Sequence, residues 1–237
     1  MCTFRPVKWG TASVHTAKFG GAEVGVLLTG VGRSHAACKI AEIRFEANGP
    51  VDLVVSTGLA GGLRPAYKIG QVLAAKEILI AGTSGRVRSS AHLMNLAREY
   101  GATTVHSFIT ADHVATSADE KLAMGVLADA VEMESFDVLS WAADSGIPAI
   151  AVRAISDTSE EEMPIDMNRV LTADGDVSLM RVFSEMARRP GSILGLMHLG
   201  RRSRNAAQSL ALFLNSYVQK LVDLPIPVDK EVAVEHG

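Results

Sequence analysis

Cysteine is almost missing from this chain: Cys2 and Cys38 are the two in 237 residues, too few for a disulfide framework. Neither sign of charge is in excess, and a formal net charge of −3 gives no electrostatic case for binding nucleic acid. No apolar run approaches the ~18 residues of a membrane-spanning helix. Residues 1–10 lack the apolar centre of a signal peptide. The 7 histidines are scattered, and no His/Cys/Asp cluster has ligand spacing, so no metal is expected. Internal repeats and low-complexity segments are also absent. These absences predict a soluble, cytoplasmic protein. The 48% hydrophobic content is enough for one large core, giving a single domain over residues 1–224 and a loose tail over 225–237.

What is present alternates. Residues 11–17 and 23–28, either side of Gly20-Gly21, predict a hairpin that leads into a glycine turn. Residues 33–47 predict a helix with Ala37, Ala41 and Phe45 on one face, stopped at Asn48-Gly49-Pro50. Residues 51–56 form a short, continuously apolar run that suits a buried strand. Residues 71–81 and 105–110 are further strands, and residues 87–100 have helical spacing. Helices follow over 177–188 and 205–221, the second with Leu210, Phe213, Leu214, Tyr217, Val218 and Leu221 in one stripe. Strands alternating with helices of this length predict an α/β fold: a three-layer α/β/α sandwich on a mixed, mostly parallel central sheet.

The most informative stretch is Val131-Glu132-Met133-Glu134-Ser135, followed about twenty residues later by Arg153-Ala154-Ile155-Ser156-Asp157. Alternation over 130–134 marks one strand end, and the apolar run 148–155 a second strand. Between them runs a helix over 136–144, stopped by Gly146 and Pro148. A strand–helix–strand unit with a carboxylate at the C-terminal end of each strand sets two acids where open α/β sheets bind ligands. Two acids there suit a reaction needing both a proton donor and a fixed negative charge.

Four segments in order carry a resemblance. Thr29-Gly30-Val31-Gly32-Arg33, Thr57-Gly58-Leu59-Ala60-Gly61-Gly62-Leu63, Ala111-Asp112 and the double-carboxylate signature resemble the nucleoside phosphorylase/nucleosidase superfamily. Its members cleave the N-glycosidic bond between base and ribose. The resemblance implies that Asp157 protonates a purine at N7, oriented by Ser156. It gives Glu134 to the ribose 2′- and 3′-hydroxyls and Met133 to the ribose face. Ala60 and Gly61 would line the sugar and base pocket, and Val114 would stand where relatives often carry a Phe against adenine. Burial and a neighbouring carboxylate would keep a proton on Asp157. Glu132 is placed near the site, Arg153 as a structural ion-pair partner, and His113 beside the base loop. No cofactor is implied; inorganic phosphate is a possible co-substrate, with Gly30, Gly32, Arg33 and Gly58 as its candidate ligands.

The same pattern departs from the family. Its first strand and helix, with a phosphate turn or a water-activating Glu, have no counterpart ahead of Met1-Cys2-Thr3, and Leu59 replaces a phosphate-binding Ser. An alternative to the enzyme is therefore a nucleoside-binding, catalytically impaired member. A dinucleotide-binding oxidoreductase fits poorly, because Thr29-Gly30-Val31-Gly32 lacks the third glycine. Finer features, including Arg189-Pro190-Gly191, resemble the hopanoid-associated phosphorylase branch, which acts on an adenosylated lipid. The arginines of residues 180–204 fit either a solvated face or weak contact with an anionic membrane surface. The family implies a homodimer or higher homo-oligomer.

Overall fold

Strands and helices alternate as expected, with one long terminal helix. The computed structural model describes residues 3–43, 50–170 and 191–223, with 172, 178, 180, 182 and 184 between the last two spans. The chain opens with β1 (Arg5–Trp9), β2 (Ala12–Phe19) and β3 (Ala22–Leu27), then α1 (Arg33–Ala41) and β4 (Val54–Gly62). Next come β5 (Val72–Ile80), β6 (Arg86–Arg88), α2 (Ala91–Glu99), β7 (Thr103–Thr110) and α3 (Ala118–Gly125). The rest is β8 (Ala130–Glu132), α4 (Ser135–Asp144), β9 (Ala149–Asp157), α5 (Met167–Val170) and α6 (Ser192–Asp223).

β1, β2 and β3 form their own antiparallel sheet, so the expected hairpin gains a third strand. The six other strands run in the order β6-β5-β7-β8-β4-β9. The long pairings β5/β7 and β4/β9 are parallel, whereas β4/β8 and β5/β6 are antiparallel. β5 also pairs antiparallel with β9, so this mixed sheet curls round and closes on itself. Helices cover it on two sides. Ala36, Ile40, Val138, Leu139 and Ala142 of α1 and α4 pack with one cluster, and α2 and α6 pack with the other. This is the expected α/β arrangement of a mixed sheet between helical layers.

Three local differences have physical reasons. The segment 87–100 splits, because Val87 joins the edge strand β6 and Ser90 then caps α2 by accepting the Leu93 N–H. In α1 the buried residues are Ala36 and Ile40, not Ala37 and Ala41. The turn at Gly32, with φ 106°, and the Arg33–Asp137 ion pair set that phase. Gly58, Gly61 and Gly62, expected in a turn, lie inside β4, where the register against β9 shifts between Ala60 and Gly61. The helix expected over 177–188 and the tail 225–237 lie largely or wholly outside the described residues.

The apolar stripe of α6 behaves as its spacing demands: Leu210, Phe213, Tyr217 and Leu221 are buried against β9 and α2. Phe213 stacks on Tyr217 with centroids 5.1 Å apart. The Tyr217 hydroxyl, wholly buried, donates to Leu93 O at 3.0 Å and so pins α6 to α2. Tyr217→Phe should lower unfolding stability by about 1 kcal/mol, the worth of one buried hydrogen bond. Phe213→Ala should cost about 3–5 kcal/mol through its cavity. Urea melts read both; equal losses would contradict this division between hydrogen bond and packing.

Candidate active site

β9 is buried along its whole length, which carries Arg153 and Asp157 into the interior. β4 makes room for them with its glycines. A Cβ at Gly58 would meet the Arg153 guanidinium at 3.7 Å, and one at Gly61 would stand 3.0 Å from Asp157 Oδ2. The close approach that these glycines permit is therefore first of all to side chains of β9.

Arg153 is the hub of one end of the sheet. Its Nη2 donates to Glu132 Oε2 at 2.6 Å and to Ser56 Oγ at 3.2 Å, and stands 3.6 Å from Glu134 Oε2. Glu132 does more than its sequence suggested. It ends β8, and its Oε2 also accepts the N–H groups of Glu134 and Ser135 at 3.1 and 2.8 Å, which starts α4. Its Oε1 takes the hydroxyl hydrogen of Thr110, and Thr110 Oγ1 accepts the Phe136 N–H. Strand β8 has three residues, so this network, not a long ladder, fixes the turn carrying Glu134.

Glu134 turns away from Glu132 and accepts the Gly32 N–H at 2.9 Å. Burial pushes its carboxyl above the ordinary carboxylate range, Arg153 pulls it down, and Glu132 pushes it up again. Asp157 ends β9 at 5% exposure, with Oδ1 accepting the Ser156 hydroxyl at 2.8 Å. Its charged neighbour is a cation that the sequence analysis did not foresee: Lys121 Nζ, 1% exposed, lies 2.5 Å from Asp157 Oδ2. The contact made at Asp157 is thus an ion pair with lysine, where a neighbouring carboxylate was expected. Lys121 is the one fully buried residue of α3, and no motif marks it.

A cavity of about 860 Å³ brings most of the candidates together. Asp157, Glu134, Met133, Ser156, Ala60 and Gly61 line it, as do Val114, Gly30 and Gly58. Val114 is held there by Asn168, whose Oδ1 accepts the Val114 N–H and whose Nδ2 donates to its carbonyl. Two candidates fall elsewhere. Gly32 and Arg33 line a second, smaller cleft that meets the cavity at Val31 and Met133. The Gly32 amide is already bonded to Glu134, and Arg33 is held by both oxygens of Asp137 at 2.9 and 3.1 Å. The proposed phosphate ligands are therefore divided between two clefts. Among the described residues, no group of three or more His, Cys, Asp or Glu could hold a metal, and no helix is long and apolar enough to cross a membrane.

His113 lines the cavity between two carboxylates, with Nδ1 2.6 Å from Asp112 Oδ1 and Nε2 2.5 Å from Glu120 Oε1. Its hydrogen bonds to Asp112 and then Glu120 raise its pKa, and His113 in turn holds the Asp112 carboxyl below its ordinary value. A raised imidazole stabilises the fold fully below the unfolded histidine value, ~6.5, and loses that contribution as pH rises through the folded value. The melting temperature of the native chain should exceed that of His113→Gln at pH 5.5, and the gap should close at alkaline pH. A gap independent of pH would contradict the clamp.

Residues 4–89 match the family model of the phosphorylase superfamily. Among solved structures, this chain is similar to 5'-methylthioadenosine/S-adenosyl homocysteine nucleosidase of Helicobacter pylori, at 21% identity and a TM-score of 0.67, over 92% of this chain and 89% of the other. Futalosine hydrolase of the same organism gives 21% and 0.68 over the same shares. The methylthioadenosine/S-adenosylhomocysteine nucleosidase of Neisseria meningitidis gives 19% and 0.67, over 92% of this chain and 90% of the other. The closed mixed sheet, its two helical layers and these likenesses agree: the chain has the nucleoside phosphorylase-like fold.

Proposed function

We propose that this protein cleaves the N-glycosidic bond of a purine nucleoside of the adenine type. The observation that carries the reading is that Glu134, in the turn just past β8, and Asp157, the last residue of β9, line one cavity together with Met133, Ser156 and Gly61. Breaking this bond leaves positive charge on the ribosyl group and negative charge on the base. Glu134 serves the sugar: its carboxylate accepts the 2′- and 3′-hydroxyls and favours an oxocarbenium-like transition state. Asp157 serves the base, passing a proton to N7 while Ser156 holds its other oxygen. Met133 packs on the ribose face, Val114 and Ala60 wall the base, and Gly61 keeps the strand clear of it.

Water is the nucleophile this cavity supports best, and phosphate the alternative. Among the described residues Arg153 is the one arginine or lysine on the cavity wall, and Glu132 and Glu134 already surround it. Gly32 and Arg33 are engaged elsewhere, which leaves the backbone near Gly30 and Gly58 for an anion. The structural neighbours named as nucleosidase and hydrolase accord with this preference. The cavity lies in the upper part of the ~300–1,000 Å³ range of small-molecule sites. It continues along Leu199, Leu214, Val218 and Leu221 of α6. That apolar wall supports a large 5′ substituent, and a lipid-linked adenosine is the extreme form of the proposal. Exposed Ile193, Leu194 and Met197, near Arg201 and Arg204 on the same helix, would suit weak contact with such a surface.

The test is base release, followed by chromatography, from adenosine, methylthioadenosine and S-adenosylhomocysteine, each with and without phosphate. The expected result is adenine release without phosphate. Asp157→Asn should lower kcat by about 10²–10⁴-fold, the worth of a general acid. Glu134→Gln should raise KM and lower kcat together. Because the Glu134 carboxyl is raised, its ionised form is lost as pH falls through a value above the ordinary ~4.3, so KM should climb on the acid side. Unchanged turnover in Asp157→Asn would remove the assignment.

A further inference from the structure

Lys121 is the buried cation that the reaction outlined above leaves without a role. It projects from α3 at 1% exposure, and all three of its N–H donors are used. They go to Asp157 Oδ2 at 2.5 Å, Glu161 O at 2.9 Å and Thr158 O at 3.0 Å. Asp157 lines the cavity and Lys121 does not, so the ammonium lies behind the carboxylate with respect to the ligand space. The other charges near it are spoken for. Glu120, next on α3, binds His113 and the Thr116 N–H. The carboxylate of Glu161 takes Arg202 at 2.7 Å and the Thr158 N–H. Among the described residues Lys121 is the one ionisable side chain bonded to Asp157.

We propose that Lys121 is the proton reservoir of this site, acting through Asp157. The inference rests on the glycosidic-cleavage reading. As the bond between the base nitrogen and C1′ breaks, its electron pair withdraws into the purine and N7 becomes basic. Lys121 Nζ gives a proton to Asp157, and Asp157 gives one to N7. The lysine is left as a neutral amine and Asp157 as a carboxylate. The proton shed by the incoming nucleophile, water or hydrogen phosphate, restores the ammonium through solvent. A lysine suits this duty where an arginine would not: its amine is able to lose a proton when buried, whereas a guanidinium keeps its own. A buried ion pair is weak as a stabilising device, because its desolvation offsets its attraction. Lys121 never touches substrate and is a positioning residue in that sense.

The experiment compares wild type, Lys121→Arg and Lys121→Met on methylthioadenosine, measuring kcat, KM and the pH profile of kcat. Thermal melts verify folding. The reservoir role predicts kcat lower by about 10²-fold or more in both variants, with KM within about threefold. It also predicts that Lys121→Met works fastest at low pH, where solvent protonates Asp157 directly. A merely structural cation predicts that Lys121→Arg, which keeps the charge, recovers both the wild-type kcat and its alkaline limb; that result would overturn the proposal. Lys121→Met leaves Asp157 buried without its counter-ion, so if it fails to fold the arginine variant decides alone. Wild type that releases no base from any probe overturns the cleavage reading itself, and this proposal with it.

Discussion

Arg153 sits almost wholly buried in the cavity wall, and the end of the sheet is organised around its guanidinium. Through Glu132 and Ser56 it ties β9 to β8 and β4, and through Glu132 and Thr110 the tie reaches β7 and the start of α4. Removing either charge of such a buried pair leaves the other uncompensated, typically at about 3–5 kcal/mol. Strand β8 itself is short: it pairs with β7 over its three residues and meets β4 through Gly61 and Gly62. Glu134 is thus positioned by this charge network together with the short β7/β8 ladder.

The two carboxylates assigned to chemistry are held in opposite ways. Glu134 is largely desolvated, which raises its pKa, and it accepts a backbone amide from the glycine turn. Asp157 is gripped from both sides, by a serine hydroxyl and a lysine ammonium. The glycines of β4 make the second arrangement possible, because any side chain at Gly61 would crowd Asp157 Oδ2. Strand irregularity at Ala60/Gly61 and the ion pairs of β9 are therefore one feature seen from two sides.

Much of this was legible in the sequence, for identifiable reasons. Periodicity found β5, β7, α4 and the packed face of α6, because in each the burial pattern follows local geometry. Residues of the double carboxylate and of the glycine segments line one cavity, apart from Gly32 and Arg33. What was not legible depends on distant partners. Lys121 lies 36 positions before Asp157, on a helix whose pattern is dull, and its burial comes from tertiary contacts alone. Arg33 reads as available to an anion from sequence alone, but both oxygens of Asp137, 104 positions away, hold it. The antiparallel β5/β9 closure likewise has no local signature.

In the proposed chemistry Asp157 and its lysine deliver a proton to N7 of a purine whose sugar Glu134 holds. The most direct measurement compares an adenine nucleoside with its 7-deaza analogue, in which a C–H replaces N7 and no proton is accepted there. Both should bind, within a few-fold by calorimetry, with base release from the adenine nucleoside alone. Cleavage of both at similar rates would contradict it.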